Sequence, residues 1–425
     1  MRLGGRLAAA GEVLADAIGR RRPIADALKD WGLSHRFAGS GDRNAIGTIA
    51  YDALRRRRSI ACCMDADDLA ALAEGALYAA WGETPGSLAE TLEGDRFAPV
   101  LLGGFDPARL EGASPAVRAD VPDWCVGEIE ASYGADWEAE AAALAARPPL
   151  DLRVNALKAE RDAVLADLAM ERAGPFEPVP EAIRIPPPER DGRQPAVTAE
   201  PAHAKGRIEV QDAGSQLVSR LAVPEGGTGQ GAGQVMDLCA GGGGKSLALA
   251  ALMGNRGQVH AYDSDPRRLA PIHDRLKRAG ARSVQVHRAG RPDALPGDMD
   301  VVLVDAPCTG SGTWRRRPDA KWRTRETALE RRTIEQDGVL DHAARLVRPG
   351  RRIVYVTCSI FAAENRARVD AFLSRHEGFS RGPVTGIDAA FDAAPQRDDG
   401  AGGAMLTPLT TGTDGFYAAV LRREG

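Results

Sequence analysis

Aromatic residues are scarce, at 5% of 425 positions, while 48 glycines and abundant alanine point to small-residue packing rather than an aromatic-rich sandwich. Cysteine is sparse too. The six (Cys62, Cys63, Cys125, Cys239, Cys308 and Cys358) show no C-x-x-C spacing, which excludes a disulfide scaffold and the usual thiolate metal centre. No stretch approaches the roughly 18 consecutive apolar residues of a membrane span. Glu12 and Asp16 fall within the first apolar pattern, where a signal peptide would carry no charge. These absences lead us to expect a reduced, cytoplasmic, monomeric chain with no membrane segment and no metal. Apolar residues make up 44%, which excludes wholesale disorder, and the length suits two to four domains at roughly 100–200 residues each.

The formal charge of −4 hides an asymmetry. Residues 1–148 carry 16 Lys and Arg against 23 Asp and Glu, leaving 39 against 36 for the remainder. Residues 306–332 concentrate eight basic side chains (Arg315, Arg316, Arg317, Lys321, Arg323, Arg325, Arg331, Arg332) against three acidic ones. A charge cluster alone is usually a solvated face, so this one becomes informative only beside a functional site.

Residues 1 to about 130 read as helices. Leu7, Leu14 and Ile18 recur at helical intervals and Gly19 can close that helix. Pro23 can open a second, with Ile24, Leu28 and Trp31 on one face, and Asp42 can cap a third presenting Ile46, Ile49, Ala50 and Leu54. The run Arg55–Arg58 suits a helix C-terminus, where cations meet the partial negative charge; RNA contact is the sharper alternative. Leu150–Val154 alternates as a strand, residues 162–169 return to helix, and the prolines of 186–195 mark a linker or ordered surface loop. After a Gly-rich connection over 224–234, short apolar runs alternate with helical segments at 235–238, 258–262, 283–287, 300–304 and 352–356. That alternation predicts parallel strands with crossover helices, a doubly wound α/β sheet, with one more strand at 416–421.

The first of these strands runs into Asp237-Leu238-Cys239-Ala240-Gly241-Gly242-Gly243-Gly244-Lys245-Ser246. Glycines between a strand and a helix let backbone approach a ligand and leave free N–H groups at the helix start. A Walker loop would need glycine where Cys239 stands, and a dinucleotide fingerprint would need glycine at Ser246. An S-adenosylmethionine loop needs neither. Asp263 supports that reading, since an acid ending the second strand can accept both ribose hydroxyls. The fourth strand ends in Asp305-Ala306-Pro307-Cys308 and the fifth in Thr357-Cys358-Ser359. Ligands of open α/β sheets bind at the carboxyl ends of the strands, so both thiols are expected beside the Gly-rich loop. Either cysteine alone could be a packing residue. Two thiols meet a chemical need, because carbon 5 of cytosine becomes nucleophilic only after a thiolate adds to carbon 6, and the adduct must later be released. A carboxylate such as Asp305 can hold the amino edge of the base.

These motifs resemble the RsmB/Sun (Fmu) branch of RNA cytosine-5 methyltransferases. The likeness rests on Asp305–Gly310 with Arg316-Arg317-Pro318-Asp319 and Trp322, on Thr357-Cys358-Ser359 with Glu364-Asn365, and on Gln211–Ser215 and Asp414-Gly415-Phe416. Leu152–Asn155 matches the small domain that precedes the family's core, and Ser40–Arg43 with Arg55–Arg58 is similar to its NusB-like helical domain. The resemblance implies a multidomain chain: an all-α NusB-like RNA-binding domain over 1–140, a small α/β domain over 148–205 and a Rossmann-like class I methyltransferase core over 206–425. It implies ribosomal RNA, of the small subunit, as partner and S-adenosyl-L-methionine as cofactor. That cofactor would be held by Cys239, Ala240, Gly241, Gly242, Gly243, Gly244, Lys245, Asp263 and Asp305. By the same likeness Cys358 is the nucleophile and Cys308 the release residue. Beside this functional site the cationic segment 306–332 becomes a phosphate-binding surface, while Trp322 is expected to anchor its loop rather than stack on a base.

Two departures stand out. The family's loop carries Ala-Pro where this chain has Gly241-Gly242, and Ala289 occupies the place of an Asp that meets the adenine amino group; Asp293 or a backbone group is the expected substitute. They motivate an alternative, an RNA-binding scaffold with a degenerate core. A nicotinamide-dependent oxidoreductase on a similar sheet gives the two thiols no role.

Overall fold

The computed structural model describes residues 1–168, 170, 172–225, 233–387 and 397–425. Most of the Gly-rich connection expected at 224–234 (residues 226–232), and Ala169 at the end of the predicted helix, lie outside the described residues. The chain divides into two compact units. One comprises Met1–Pro148, Pro187–Pro195 and Thr313–Glu326; the other comprises Pro149–Pro186, Ala196–Gly312 and Thr327–Gly425.

The first unit is helical. Helices α1 (Leu3–Gly19), α2 (Ile24–Ser34), α3 (Ser40–Arg55), α4 (Arg57–Met64), α5 (Leu69–Trp81) and α6 (Pro85–Leu92) enclose a core of Leu7, Leu14, Ile24, Ile46, Ile49, Leu54, Ile60 and Leu77, as the apolar spacing predicts. One boundary differs. Asp42 is not the cap of α3 but its third residue, and its carboxylate reaches back to the Gly39 amide at 3.3 Å. It also binds Arg6 and the Met1 amino group. The proline stretch at 187–195 is an ordered loop strapped to this unit, with Arg147 donating to the Pro188 and Arg190 carbonyls at 2.8 and 2.7 Å.

The second unit holds two sheets. Strands β1 (Leu150–Val154), β2 (Gly174–Pro175), β3 (Ala182–Ile185) and β4 (Ile208–Val210) pair antiparallel in the order β2-β3-β1-β4. The larger sheet is built on β5 (Gln234–Asp237), β6 (Gln258–Ala261), β7 (Val284–Val286), β8 (Met299–Asp305) and β9 (Val347–Thr357). These five run parallel in the order β9-β8-β5-β6-β7, close to the predicted runs. The sequence pattern missed β10 (Phe379–Gly382), β11 (Arg397–Asp398) and β12 (Ala404–Leu406), which are too short to alternate; with the expected last strand β13 (Phe416–Arg423) they extend the sheet antiparallel beyond β9. Val235, Val301, Leu303, Val354 and Val356 are buried in one core, as strands covered on both faces require.

The strand order reverses at β5, so the carboxyl ends of β5, β8 and β9 are neighbours. Open α/β sheets bind ligands at that crevice. Among the described residues, no helix is long and apolar enough to cross a membrane, and no cluster of three or more metal-ligating side chains is found.

Candidate functional site

The Gly-rich loop leaves β5 and turns into helix Gly244–Leu252. Its path is fixed by backbone bonds: the Ala240 amide donates to the Tyr262 carbonyl and the Gly243 amide to the Ala240 carbonyl, both at 2.8 Å. Gly243 stands at φ +82°, and a Cβ there would lie 2.5 Å from Ile272 Cγ1, so close packing and a left-handed turn both demand glycine. The Gly241 amide donates to Asp263 Oδ2 at 2.9 Å, and Asp263 Oδ1 accepts from the Asp265 amide at the same distance. Asp263 is therefore held rigidly at the end of β6, facing the loop as its position predicts. The Gly242 carbonyl accepts from Arg275 at 2.6 Å.

Beneath the loop lies a buried carboxyl, Asp237. Ser246 Oγ donates to its Oδ2 at 2.6 Å, while Oδ1 is buried with no hydrogen-bond partner. Burial pushes this acid up to about 7, against the Ser246 hydrogen bond that favours its charged form. An orphaned acceptor, a glycine loop with room for close backbone approach and the Asp263 carboxylate together fit a ligand rich in hydroxyl and amino donors. S-adenosylmethionine is such a ligand.

Lys245 and Asp305 meet on the other side of the loop, with Nζ 2.7 Å from Oδ2. Burial pulls the lysine down, but the charge and hydrogen bond of Asp305 outweigh it, and the ammonium stays above its ordinary value. Among the described residues Asp305 Oδ1 accepts no hydrogen bond, which leaves it for a ligand donor.

The two cysteines lie 50 residues apart in sequence, and the structure brings their sulfurs to 3.4 Å. Both are partly exposed. The hydrogen bond to Cys358, and then burial, hold Cys308 well above an ordinary thiol value. Cys308 thus keeps its proton, while either sulfur can be the donor in their contact. Cys239 differs: burial, then the charges of Asp305, Asp263 and Asp237, raise it too, and it stays a neutral thiol whose main chain forms the loop.

In the sequence Glu364 and Asn365 are only letters of a motif, and the structure shows what they touch. Glu364 is fully buried; its Oε1 accepts from the Thr309 amide at 2.8 Å and Gln336 Nε2 at 3.0 Å, and its Oε2 from the Thr309 and Ser359 hydroxyls, each at 2.5 Å. Asn365 accepts from the Thr357 hydroxyl and donates to the Ser359 carbonyl. Gln336, inside helix Glu326–Leu346, carries no sequence signal at all.

Ala289 packs against Ala240, Ala261, Leu269 and Ile272, so an apolar contact stands where the family likeness expects a carboxylate. Asp293, the expected substitute, is exposed.

Much of the cationic segment is spent on structure. Within the helical unit Arg315 is buried, Lys321 is buried and donates to the Arg55 carbonyl at 3.0 Å, and Trp322 Nε1 donates to the Leu54 carbonyl at 2.7 Å, which makes Trp322 the loop anchor that its place in the motif predicts. Arg323 pairs with Asp319, and Arg331 and Arg332 with Glu335. Arg317 and Arg325 alone in that run are exposed with side chains that, among the described residues, form no hydrogen bond or ion pair. In the arginine run, Arg55 is buried against Asp52 and Arg58 reaches Val121 and Asp123, so these two serve stability.

The parallel core, the loop after its first strand and the antiparallel extension define a Rossmann-like fold of the methyltransferase type. The crystal structure of the protein PH0851 superposes with a TM-score of 0.73 at 24% identity, over 100% of this chain and 99% of that one. A methyltransferase homolog protein from Pyrococcus horikoshii gives 0.59 at 23% identity, over 73% and 97%. At these identities the likeness is one of fold. The 16S rRNA methyltransferase RsmB/F family matches residues 228–422, and a RsmF/B-like ferredoxin-like domain matches residues 121–189. Ribosomal RNA small subunit methyltransferase B of Sodalis glossinidius (strain morsitans) is 34% identical over 358 residues, 80% of this chain and 77% of that protein. A probable counterpart in Synechocystis is 28% identical over 96% and 97%. The chain belongs to the RsmB/F methyltransferase family.

Proposed function

We propose that this protein methylates carbon 5 of a cytidine in small-subunit ribosomal RNA, with S-adenosylmethionine as donor and a covalent cysteine–cytosine intermediate. The observation that carries the reading is the 3.4 Å approach of Cys308 and Cys358 beside the Lys245–Asp305 pair. The relatives named above supply the substrate class. The loop Cys239–Gly244, Lys245, Asp263 and Asp305 would hold the cofactor, with Asp237 Oδ1 as a further acceptor. When bound, S-adenosylmethionine supplies an electrophilic methyl group.

The protein's own residues do the rest. The Cys358 thiolate, stabilised by the Lys245 ammonium, adds its electron pair to carbon 6 and makes carbon 5 nucleophilic. Asp305 Oδ1 accepts from the amino edge of the base. Once carbon 5 is methylated, a base assisted by Cys308 removes the carbon 5 proton, the double bond re-forms and the Cys358 sulfur leaves. The base must first be unstacked, since a thiol cannot reach carbon 6 within a helix. The helical unit, which we assign as NusB-like, and the exposed Arg317 and Arg325 would bind the RNA.

Cys308→Ser tests this directly. Incubated with ribosomal RNA and cofactor, the variant should accumulate protein crosslinked to RNA on a denaturing gel, while Cys358→Ser should form none. The scaffold reading, which draws on Ala289, predicts no adduct from either variant. Adduct formed only when Cys308 is intact would reverse the two roles.

A further inference from the structure

The relative placement of two thiol-bearing loops from separate strands must be fixed to a fraction of an ångström, and nothing in either loop alone can do this. Cys308 sits four residues from Gly312 in the stretch after β8, and Cys358 directly follows β9. The residue after each cysteine points its hydroxyl at one atom: Thr309 Oγ1 and Ser359 Oγ both donate to Glu364 Oε2 at 2.5 Å. On the other oxygen, the Thr309 amide and Gln336 donate to Oε1, and the same Gln336 amide also donates to the carbonyl of Pro307, the residue before Cys308, at 2.9 Å. The Glu364 main chain is pinned in turn, its carbonyl accepting from the buried Tyr355 hydroxyl at 2.6 Å.

We propose that Glu364 is the positioning residue that sets the separation of the two sulfurs, one carboxylate binding the residues that flank both thiols. It touches neither reacting sulfur and acts only through Thr309, Ser359 and Gln336. A carboxylate suits this place because it accepts four hydrogen bonds at once with no donor of its own to satisfy. Its burial raises it above its ordinary value, and the bonds from Ser359, Thr309 and Gln336 oppose that rise. The inference rests on the assignment of Cys358 and Cys308 above for its catalytic consequence, but the geometry it predicts can be read without catalysis.

The experiment compares the wild-type full chain with Glu364→Ala and Glu364→Gln by two readouts. The first is steady-state methyl transfer to ribosomal RNA. A misplacement of about 1 Å costs on the order of 100-fold, so Glu364→Ala should lose about that much in kcat, with KM for RNA and cofactor within about threefold. The glutamine keeps one oxygen for the Thr309 and Gln336 donors and offers its amino group to the two hydroxyls, which can turn to accept; it should recover most of the lost rate. The second readout is the rate at which diamide couples Cys308 to Cys358, the two thiols giving up two protons and two electrons to the reagent, followed by peptide mapping. Coupling needs the sulfurs side by side. It should slow at least tenfold in Glu364→Ala and recover in Glu364→Gln. An unchanged coupling rate in Glu364→Ala overturns the proposal, whatever happens to kcat. Should Glu364→Ala fail to fold, Thr309→Val with Ser359→Ala removes the two hydroxyl legs and keeps the carboxylate, and unchanged coupling there overturns it equally. If the wild-type chain transfers no methyl group yet coupling depends on Glu364 as described, the functional reading fails and the positioning role stands.

Discussion

Asp237 shows how a single buried group ties the loop to stability. Its carboxyl titrates near 7 in the folded chain against 3.8 in a free one, chiefly because burial penalises its charge. A raised folded value means that its contribution to stability is complete below about pH 3.8 and is lost as the pH rises through about 7. Asp237→Asn cannot lose a proton. Relative to wild type, its unfolding free energy in urea melts should therefore improve by about 2 to 3 kcal/mol between pH 5 and pH 8, at about 1.4 kcal/mol per unit. A difference independent of pH would show that the carboxyl is charged throughout. In the sequence this residue is only the first letter of the loop motif, because burial, which gives it its character, is a property of the fold. The places of Cys308, Cys358, Lys245 and Asp263 were legible, because strand ends and the loop from strand to helix fix them. Glu364 and Gln336 were not, since a hydrogen-bond acceptor shared by two distant loops leaves no local pattern.

The parallel strands were legible because each is buried on both faces and reads as a short apolar run between turn signals. Edge strands of two or three residues, such as β11 and β12, carry too few positions to alternate. What the pattern also hid is how the strand-end loops lock together. The Gly312 amide donates to the Cys358 carbonyl at 3.0 Å, the Gly415 amide donates to the Gly312 carbonyl at 2.8 Å, and a Cβ on Gly312 would lie 2.1 Å from the Gly415 carbonyl oxygen. The motif Asp414-Gly415-Phe416 thus belongs to the same loop cluster as the two cysteines. Gly312→Ala must push the Gly415 backbone away. We expect a loss of about 1 to 3 kcal/mol in stability, with a fall in methyl transfer of about tenfold or more; wild-type activity in this variant would show that the loops move independently. Helix starts were read less well than helix faces. Asp42 at the third position of α3 does electrostatically what a cap does, so a capping residue and a first-turn acid look alike in sequence.

The division of the chain into units was the least legible feature. Residues 187–195 and 313–326 fold with the N-terminal helices, although each interrupts the other unit in sequence. Contiguous boundaries cannot express that arrangement, and it explains why a segment rich in basic residues is largely consumed by packing and internal pairs. The prediction for RNA binding narrows accordingly to the two unpaired side chains. Replacing Arg317 and Arg325 by alanine should weaken binding across sequences. It should also flatten the dependence of log K on log salt by about 0.7 for each phosphate of single-stranded RNA that is no longer neutralised; an unchanged slope would remove both from the interface. The proposed mechanism turns on which sulfur bonds to the base. Ribosomal RNA carrying 5-fluorocytidine cannot release its carbon 5 substituent, so the wild-type enzyme incubated with it and with S-adenosylmethionine should stop at the covalent stage. Peptide mapping of that adduct should find the nucleotide on Cys358, with Cys308 free. A nucleotide on Cys308, or no adduct on either cysteine, would contradict the mechanism.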